Sequence, residues 1–155
     1  MKSDYQRISK MARRPHEQAP LPLRSGGGGA ILVLGAKGIF WHMKTISIVV
    51  PAHNEEENIP LFCKQIEPIL QSLKDIYSFE IFFVNDGSGD KTIDAIKQEA
   101  RTNPRVRYID FSRNFGKEIA TTAGLNHASG DACILIDADL QHPVDLIPEF
   151  IRQWE

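Results

Sequence analysis

The sequence predicts an α/β fold with a mainly parallel, Rossmann-like sheet, and three observations support this prediction. From Thr45 onward, short apolar runs alternate strictly with segments of helical periodicity. The runs are continuously apolar, which is typical of parallel strands that are covered on both faces. The composition, 42% apolar and 25% charged positions in 155 residues, is sufficient for one ordinary domain.

The predicted elements begin with a strand over residues 46–50, which Pro51 ends. A helix over residues 58–77 follows, with apolar side chains at intervals of three and four. Pro60 fits the first turn of this helix, whereas Pro68 should bend or split it. The later elements are a strand at 81–84, a helix at 90–101 capped by Asp90, a strand at 106–111, a helix at 117–128, a strand at 132–136 and a last helix that Pro143 opens.

Residues 1–42 differ in composition from the rest of the chain. They hold seven basic and two acidic side chains, three prolines within eight positions and four consecutive glycines. This composition predicts an irregular or disordered basic extension, followed by a second unit over residues 43–155. Because Met43 and Lys44 directly precede the first regular strand, we hypothesise that residues 1–42 are an upstream-start artefact or an expression remnant.

Charge and hydropathy exclude several classes of protein. The net charge of -2 argues against a general nucleic-acid binder, which neutralises phosphates with excess basic side chains. No run approaches the roughly 18 apolar residues that span a bilayer, so we expect no transmembrane segment in this chain. The N-terminus does not resemble a secretory signal. Cys63 and Cys133 lie in apolar stretches without a CxxC pair, which predicts two buried free thiols.

Polar and acidic residues follow three of the predicted strands. They are PAHNE at 51–55, NDGSGD at 85–90 and DADLQ at 137–141. Ligands of parallel α/β sheets bind beyond the carboxyl ends of the strands, so we expect these segments to meet at one edge. Four carboxylates should face that edge: Glu55, Asp86, Asp137 and Asp139.

The DADLQ segment has the chemistry of a cation site. Four apolar residues lead into Asp137, so its charge emerges from the sheet interior, where an unpaired carboxylate is costly. Asp137, Asp139 and the amide oxygen of Gln141 are hard oxygen ligands suited to Mg²⁺ or Mn²⁺. Such a cation would join the acidic edge to an anionic ligand, and a nucleoside diphosphate fits that arrangement.

Four motifs together resemble one known family. The segments ISIVVPAHNEEENI, VNDGSGDKT, RNFGKEIATTAGLNHASGD and ILIDADLQHP are similar to those of the family 2 (GT-A) glycosyltransferases. The resemblance is to the polyprenyl-phosphate branch, which includes dolichyl-phosphate mannose synthases and bactoprenol glucosyltransferases. It covers about residues 44–152, with the four motifs in family order, and it supports Met43 as the natural start.

The resemblance implies roles for individual residues. A pocket for the base and ribose of a nucleotide sugar would be lined by Pro51, His53, Glu55, Val84 and Asp86. Asp137, Ala138 and Asp139 would contact the donor, with Asp137 and Asp139 as the catalytic pair, and Asp137, Asp139 and Gln141 would hold Mg²⁺ or Mn²⁺ and the diphosphate. Lys117 would assist phosphate binding, unless it is an exposed first-turn lysine; Arg113 has the same ambiguity, and His142 is expected to be a loop residue.

The position of His53 departs from the usual pattern of the family. An aromatic residue often stands there, so the imidazole would stack in its place.

The implied reaction is direct displacement at the anomeric carbon, with inversion, by a polyprenyl phosphate. A phosphate monoester has a second pKa of about 6, so the nucleophile is already largely ionised at neutral pH. The full-length parent would then act at the cytoplasmic side of a membrane in the synthesis of a cell-envelope glycan. This chain is expected to be an inactive, truncated fragment that lacks the acceptor half and exposes a sheet edge.

Two alternatives stay open at this stage. The chain could be a non-catalytic fragment that binds a nucleotide or nothing. A nucleotidyltransferase would also use a Rossmann-like sheet, but it should carry a glycine-rich basic loop where this sequence has PAHNEEEN. The donor remains undecided among UDP-glucose, GDP-mannose and another nucleotide sugar.

Overall fold

Four parallel strands form the central sheet in the computed structural model, which describes residues 32–35, 38–41, 43–141 and 143–155. Two further strands, β1 (Leu32–Gly35) and β2 (Gly38–Trp41), pair with each other in antiparallel orientation. The strands of the central sheet are β3 (Lys44–Ala52), β4 (Tyr77–Asn85), β5 (Val106–Asp110) and β6 (Ala132–Leu135). Their order in space is β5-β4-β3-β6.

Four helices connect and follow these strands. They are α1 (Asn58–Leu73), α2 (Thr92–Thr102), α3 (Lys117–His127) and α4 (Ile147–Trp154), the last preceded by a 3₁₀ turn at Val144–Leu146. After β5 the chain returns across the sheet and adds β6 on the other side of β3, so the strand order reverses beside β3. Such a reversal opens a crevice at the carboxyl ends of the strands. No described helix has the length and apolar character needed to cross a membrane.

The sheet is covered on both faces, as the apolar strand runs predicted. Alternate side chains of β3 and β4 point to opposite faces. One face packs on α1, α2 and α4 through a large core that includes Ile46, Ile48, Val50, Phe79, Ile81 and Phe83. The other face packs on α3 through Val49, Phe82 and Val84 against Ala120.

Gly124 allows α3 to approach the sheet closely. A Cβ atom at this position would lie 2.3 Å from Cγ1 of Val49 and 3.1 Å from Cγ2 of Val84. Both distances are shorter than an ordinary carbon-carbon contact, so any larger residue would push the helix away from β3 and β4.

A buried carboxylate joins β4 to its neighbours. Glu80 is 5% exposed; its oxygens accept hydrogen bonds from the Ser47 hydroxyl at 2.6 Å and from the Ser129 backbone N–H at 2.7 Å. Arg107 lies 3.1 Å from the same carboxylate. Burial alone would raise the pKa of Glu80, but the hydrogen bonds from Ser47 and Ser129, together with the charge of Arg107, outweigh it and hold the pKa below its usual value. This network could not be predicted from the sequence, because Glu80 lies within an apolar strand and its partners are distant in sequence.

Of the two outcomes predicted for Pro68, a bend or a split of the helix, the split does not occur. The helix is continuous from Asn58 to Leu73, with Pro68 on its exposed side. The proline removes the N–H that would bond to the Lys64 carbonyl. Because Lys64 is also exposed, water can hydrogen-bond to that carbonyl. The helix also ends earlier than predicted, at Leu73 and not at residue 77, and Tyr77 begins β4.

Pro51 lies inside β3 and does not end it. The Val49 carbonyl accepts a hydrogen bond from Ile136, so Pro51, two residues later, faces the same side of the strand. The pairing with β6 stops at Leu135, opposite Val49, so Pro51 is beyond the end of that neighbour. Its missing N–H therefore removes no hydrogen bond from the sheet.

The irregular extension predicted over residues 1–42 is interrupted by β1 and β2. Two apolar runs separated by only two residues have the spacing of a β-hairpin. The glycines and prolines just before them favoured the prediction of an irregular segment instead. Residues 1–31 lie outside the described part of the chain.

The prediction of two buried thiols is right for Cys63 and wrong for Cys133. Burial raises the pKa of Cys63 to about 12, with the nearby charge of Glu99 acting in the same direction. Cys133 is exposed because β6 is the edge strand of the sheet. It lies opposite Ser47, on the face that α3 covers over β3 and β4. Leu135, on the same face, is 48% exposed.

Candidate functional site

A cleft of about 270 Å³ opens at the carboxyl ends of the strands. It lies where the strand order reverses, as expected for a ligand site in this class of sheet. Segments that follow all four strands of the central sheet contribute to it. Its lining contains Pro51, Ala52, His53, Glu55, Asp86, Asn114, Gly116, Lys117, Ala120, Asp137, Ala138 and Asp139.

Most of the residues chosen from the sequence meet in this cleft, but Val84 and Gln141 are not among its lining residues. Val84 is fully buried and packs against α3 on the opposite side of β4 from the α1 core. Gln141 is exposed, and its backbone N–H donates to Oδ1 of Asp139 at 3.0 Å. His142 lies outside the described residues.

Hydrogen bonds hold the segment after β3 against the segment after β4. The backbone N–H of Asn54 donates to the Ser88 hydroxyl at 3.0 Å, and Oδ1 of Asn54 accepts from the Gly89 N–H at 2.8 Å. The N–H of Glu55 donates to the hydroxyl of Thr92 at 2.7 Å. Asn54 adopts a positive φ of 58°, a conformation that asparagine tolerates better than most residues. These bonds fix the two segments that carry His53 and Asp86.

The sequence predicts that Asp90 caps a helix over residues 90–101; α2 begins at Thr92, and the Asp90 side chain accepts a hydrogen bond from its first residue. Its Oδ1 accepts from the Thr92 N–H at 2.9 Å, and its Oδ2 accepts from the Glu56 N–H at 3.3 Å. Burial acts to raise the pKa of Asp90, but the hydrogen bonds from Thr92 and Glu56 outweigh it and lower the pKa. Asp90 is therefore a structural carboxylate and not part of the cleft.

Asp86 anchors the segment after β5. Its carboxylate is 3% exposed and accepts the backbone N–H of Phe115 at 2.7 Å and that of Gly116 at 2.9 Å, one on each oxygen. The family resemblance implies that Asp86 lines a pocket for the base and ribose. The structure places it in the cleft lining and gives its carboxylate the additional task of holding this backbone.

Gly87 allows the segment after β4 to pass close to the backbone of the segment after β5. Its φ is +59°, and a Cβ atom there would lie 2.1 Å from the carbonyl carbon of Arg113. Arg113 itself is exposed, and its guanidinium lies 4.2 Å from the ring centroid of Phe115. Arg113 is not among the residues that line the cleft.

The ring of His53 makes contacts through both nitrogens. Nδ1 lies 2.8 Å from the backbone carbonyl oxygen of Asp86. Nε2 lies 3.2 Å from Nδ2 of Asn54. Nδ2 of Asn114 lies close to both ring nitrogens, 3.2 Å from Nε2 and 3.4 Å from Nδ1. Asn114 was not singled out from the sequence. Its position in the RNFGKE motif was the only available signal, because its partner His53 is 61 positions away.

Lys117 and Asp137 form an ion pair in the cleft. Nζ of Lys117 lies 2.8 Å from both Oδ1 and Oδ2 of Asp137. The lysine side chain is 65% exposed and that of Asp137 is 23% exposed. The negative charge of Asp137 is therefore partly balanced by an exposed ammonium group. Lys117 is an exposed residue in the first turn of α3, and it also lines the cleft.

The carboxylate oxygens in the cleft suit an open cation site, in which a substrate completes the coordination, better than a closed one. In the described ranges, no cluster of three or more His, Cys, Asp or Glu side chains could hold a metal ion. Asp137 and Asp139 nevertheless both line the cleft and offer carboxylate oxygens. Mg²⁺ is commonly held in this way, by one or two carboxylates together with the phosphate oxygens of a substrate.

Residues 47–155 match the family described as Glycosyl transferase family 2. The chain belongs to this family. The resemblance found in the motifs is thus confirmed.

Over 110 residues this family 2 chain is 53% identical to the bactoprenol glucosyl transferase of Shigella phage SfV, covering 71% of this chain and 35% of that protein. It is 49% identical to the putative glycosyltransferase CsbB of Bacillus subtilis strain 168, covering 71% of this chain and 33% of the relative. The chain therefore spans about a third of the length of the relatives that it matches.

A solved structure confirms the fold. The family 2 chain superposes on glucosyl-3-phosphoglycerate synthase from Mycobacterium tuberculosis, crystallised with Mn²⁺, uridine diphosphate and glucosyl-3-phosphoglycerate. The TM-score is 0.57 at 28% sequence identity, with 72% of this chain and 39% of that chain covered. The Rossmann-like GT-A assignment made from the sequence is correct.

Proposed function

We propose that this cleft binds the nucleotide-sugar donor of a glycosyltransferase that passes a hexose to a polyprenyl phosphate. The observation that supports this most directly is the placement of Lys117, Asp137 and Asp139 together at the reversal of strand order. An ammonium group and two carboxylates at such an edge suit a diphosphate and its cation. A relative named bactoprenol glucosyl transferase, 53% identical to this chain, supports the choice of acceptor.

The donor would lie across the cleft with its base toward His53 and its diphosphate toward Lys117. Pro51 and Ala52 are buried and would lie beside the base, and Ala138 is buried between the two aspartates. Asp137 and Asp139 would hold Mg²⁺ or Mn²⁺, and the cation would neutralise charge on the diphosphate as it departs. A solved structural neighbour contains Mn²⁺ and uridine diphosphate, which favours this class of ligand.

Lys117 has two partners in this scheme. Without donor its ammonium is paired with Asp137. A cation on the Asp137 carboxylate would displace the ammonium by charge repulsion, and the diphosphate would offer it a new anionic partner. Donor and cation would therefore bind cooperatively in the cleft.

The acceptor would be a lipid phosphate presented at the cytoplasmic side of a membrane. Because a phosphate monoester is largely ionised at neutral pH, the attack needs positioning more than a general base. Attack from the side opposite the leaving diphosphate would invert the anomeric carbon. The product would be a lipid-linked sugar for a cell-envelope glycan.

A second candidate is donor binding without transfer by this chain. The chain spans about a third of the length of its relatives, and the cleft residues named above would all serve the donor or its cation. A chain of this kind would bind the nucleotide and give no glycosyl transfer.

Calorimetry with UDP, GDP and their sugar conjugates, with and without Mn²⁺, tests the donor site. We expect Mn²⁺-dependent binding of one nucleotide, and a loss of at least about tenfold in affinity for Asp139→Asn. Asp75→Asn is a matched control, because Asp75 is exposed in the turn between α1 and β4. A folded wild-type chain that binds neither nucleotide would contradict the proposal. An assay of sugar transfer to a polyprenyl phosphate then separates the two candidates.

A further inference from the structure

Four residues outside the cleft lining are joined by hydrogen bonds across the ends of β3, β4 and β5. The backbone N–H of Asn54 donates to the Ser88 hydroxyl at 3.0 Å, and that hydroxyl donates to Oδ1 of Asn85. Nδ2 of Asn85 in turn donates to Oδ1 of Asp110 at 2.8 Å. We call these four residues the Asn85 network. They are not among the residues that line the cleft, so a role in the site would be indirect.

Both ends of the Asn85 network fix the direction of its hydrogen bonds. A backbone N–H can only donate, and a carboxylate can only accept. The amide of Asn85 therefore turns its NH₂ group to Asp110 and its oxygen to Ser88. A carboxylate in place of this amide could still accept from Ser88, but it could not donate to Asp110. The network thus requires an amide at one position and an acceptor at the other.

Asn85 connects the network to the rigid part of the fold. It is the last residue of β4 and is 2% exposed, and its backbone lies between β3 and β5 in the sheet. A buried amide without partners is costly, so the bonds to Ser88 and Asp110 are strongly favoured. The position of the Ser88 hydroxyl is therefore set by the end of the sheet.

The network ends at a residue between two members of the cleft lining. Asn54 stands between His53 and Glu55, which both line the cleft. Its φ of 58° lies in a sparsely populated region, which persists only where the surroundings hold it. The bond from its N–H to Ser88 is one such restraint, and the bond from Gly89 to its Oδ1 is another. Loss of the Ser88 contact should therefore loosen the backbone that carries the two lining residues.

We propose that Asn85 is a positioning residue, which sets where residues 53–55 meet the nucleoside half of the donor. It does so through Ser88, which holds the left-handed backbone of Asn54. The effect on the donor rests on the proposed function, whereas the hold on Asn54 does not. The carboxylates proposed for the cation follow β6, which the network does not reach. The network should therefore act on the nucleoside and leave the diphosphate and cation unaffected.

Amide hydrogen exchange in the ¹⁵N-labelled full chain tests the hold on Asn54. This residue is exposed, so the bond to Ser88 should account for the protection of its N–H. Ser88→Ala removes the acceptor, and Asn85→Asp sets a carboxylate against Asp110; each should speed exchange by about tenfold. Adding Asp110→Asn to Asn85→Asp supplies a donor again and should restore slow exchange. Ser72→Ala, on the exposed side of α1, should change nothing.

A second amide separates a local change from unfolding. The N–H of Phe115 is held by Asp86 and should exchange at the wild-type rate in every variant. A wild-type rate for Asn54 in both single variants, or no recovery in the double variant, overturns the proposal. Equal acceleration at Phe115 also overturns it, because the network would then support the fold as a whole.

Calorimetry with UDP, GDP and pyrophosphate, each in the presence of Mn²⁺, tests the effect on the donor. Ser88→Ala and Asn85→Asp should weaken nucleotide binding by about tenfold and leave pyrophosphate binding within about twofold of the wild type. The double variant with Asp110→Asn should regain the nucleotide affinity. Unchanged nucleotide affinity, or equal losses for nucleotide and pyrophosphate, would contradict the proposal. Absence of nucleotide binding by the wild type contradicts the proposed function instead, while the exchange rates still decide whether Asn85 holds Asn54.

Discussion

At the residue scale, the cleft is built from side chains that have two tasks each. Asp86 lines the cleft and also holds the backbone of Phe115 and Gly116, and Lys117 faces the cleft while it neutralises Asp137. Substitutions at these positions should therefore change both ligand binding and the local structure.

Replacing Lys117 by methionine should tighten the binding of Mn²⁺ in the absence of nucleotide. The ammonium that competes for Asp137 is removed, and a partly exposed ion pair is worth about 1 kcal/mol, or about fivefold in affinity. The same variant should bind UDP more weakly, because the diphosphate loses a cationic partner. Calorimetry with Mn²⁺ alone and with UDP measures the two effects. Lys64→Met is the control, and weaker Mn²⁺ binding by Lys117→Met would show that the two cations do not compete.

Replacing Asp86 by asparagine should destabilise the fold by about 2 kcal/mol. Only one amide oxygen remains to accept two backbone N–H groups, and a buried donor without a partner costs about 1–3 kcal/mol. Urea denaturation measures the change, with Asp75→Asn expected to stay within about 0.5 kcal/mol of wild type. An unchanged midpoint for Asp86→Asn would mean that the Phe115 and Gly116 bonds contribute little.

At the element scale, the packing of α3 depends on one glycine. Gly124→Ala should destabilise the chain by about 1–3 kcal/mol, since the added methyl group would overlap Val49. Alanine is the better helix former by about 1 kcal/mol, so a loss of stability would show that the contact with the sheet outweighs propensity. Asn126→Ala on the exposed side of the same helix should be neutral or slightly stabilising. Thermal unfolding of both variants measures the difference.

The elements themselves were largely predictable, and the misses have particular causes. β4 was predicted at 81–84 because Ser78 and Glu80 break the apolar run, yet pairing with β3 continues from Tyr77 to Asn85. The strand-end motifs located the cleft, because parallel strands end at one edge. Val84 is not in the cleft lining although Asp86, two residues later, is, because the side chain of Val84 packs toward α3. Asn114 and Glu80 depend on partners distant in sequence, which periodicity does not show.

At the scale of the whole molecule, stability should depend on pH through Glu80. Its pKa in the folded state is lowered, so its contribution is fully present above the unfolded pKa of about 4.3 and is lost as the pH falls through the folded value. Glu67 and Asp90 have lowered pKa values as well and act in the same direction. We therefore expect the free energy of unfolding to fall steeply below about pH 4.

Urea titrations at a series of pH values, for the wild type and Glu80→Gln, test this dependence. The variant should be less stable at neutral pH and should lose less stability in acid, because it has one fewer group to protonate. Parallel curves for the two proteins would show that other carboxylates account for the acid sensitivity.

The two cysteines differ in exposure, so the chain has one natural site for a spectroscopic label. Burial and a pKa of about 12 keep Cys63 in its unreactive thiol form, whereas Cys133 lies exposed on the edge strand β6. A maleimide dye should therefore attach at one place without any engineered substitution, and faster at mildly alkaline pH, because burial also raises the pKa of Cys133. A dye at that position would report, through its fluorescence, any segment or partner that comes to cover the β6 edge.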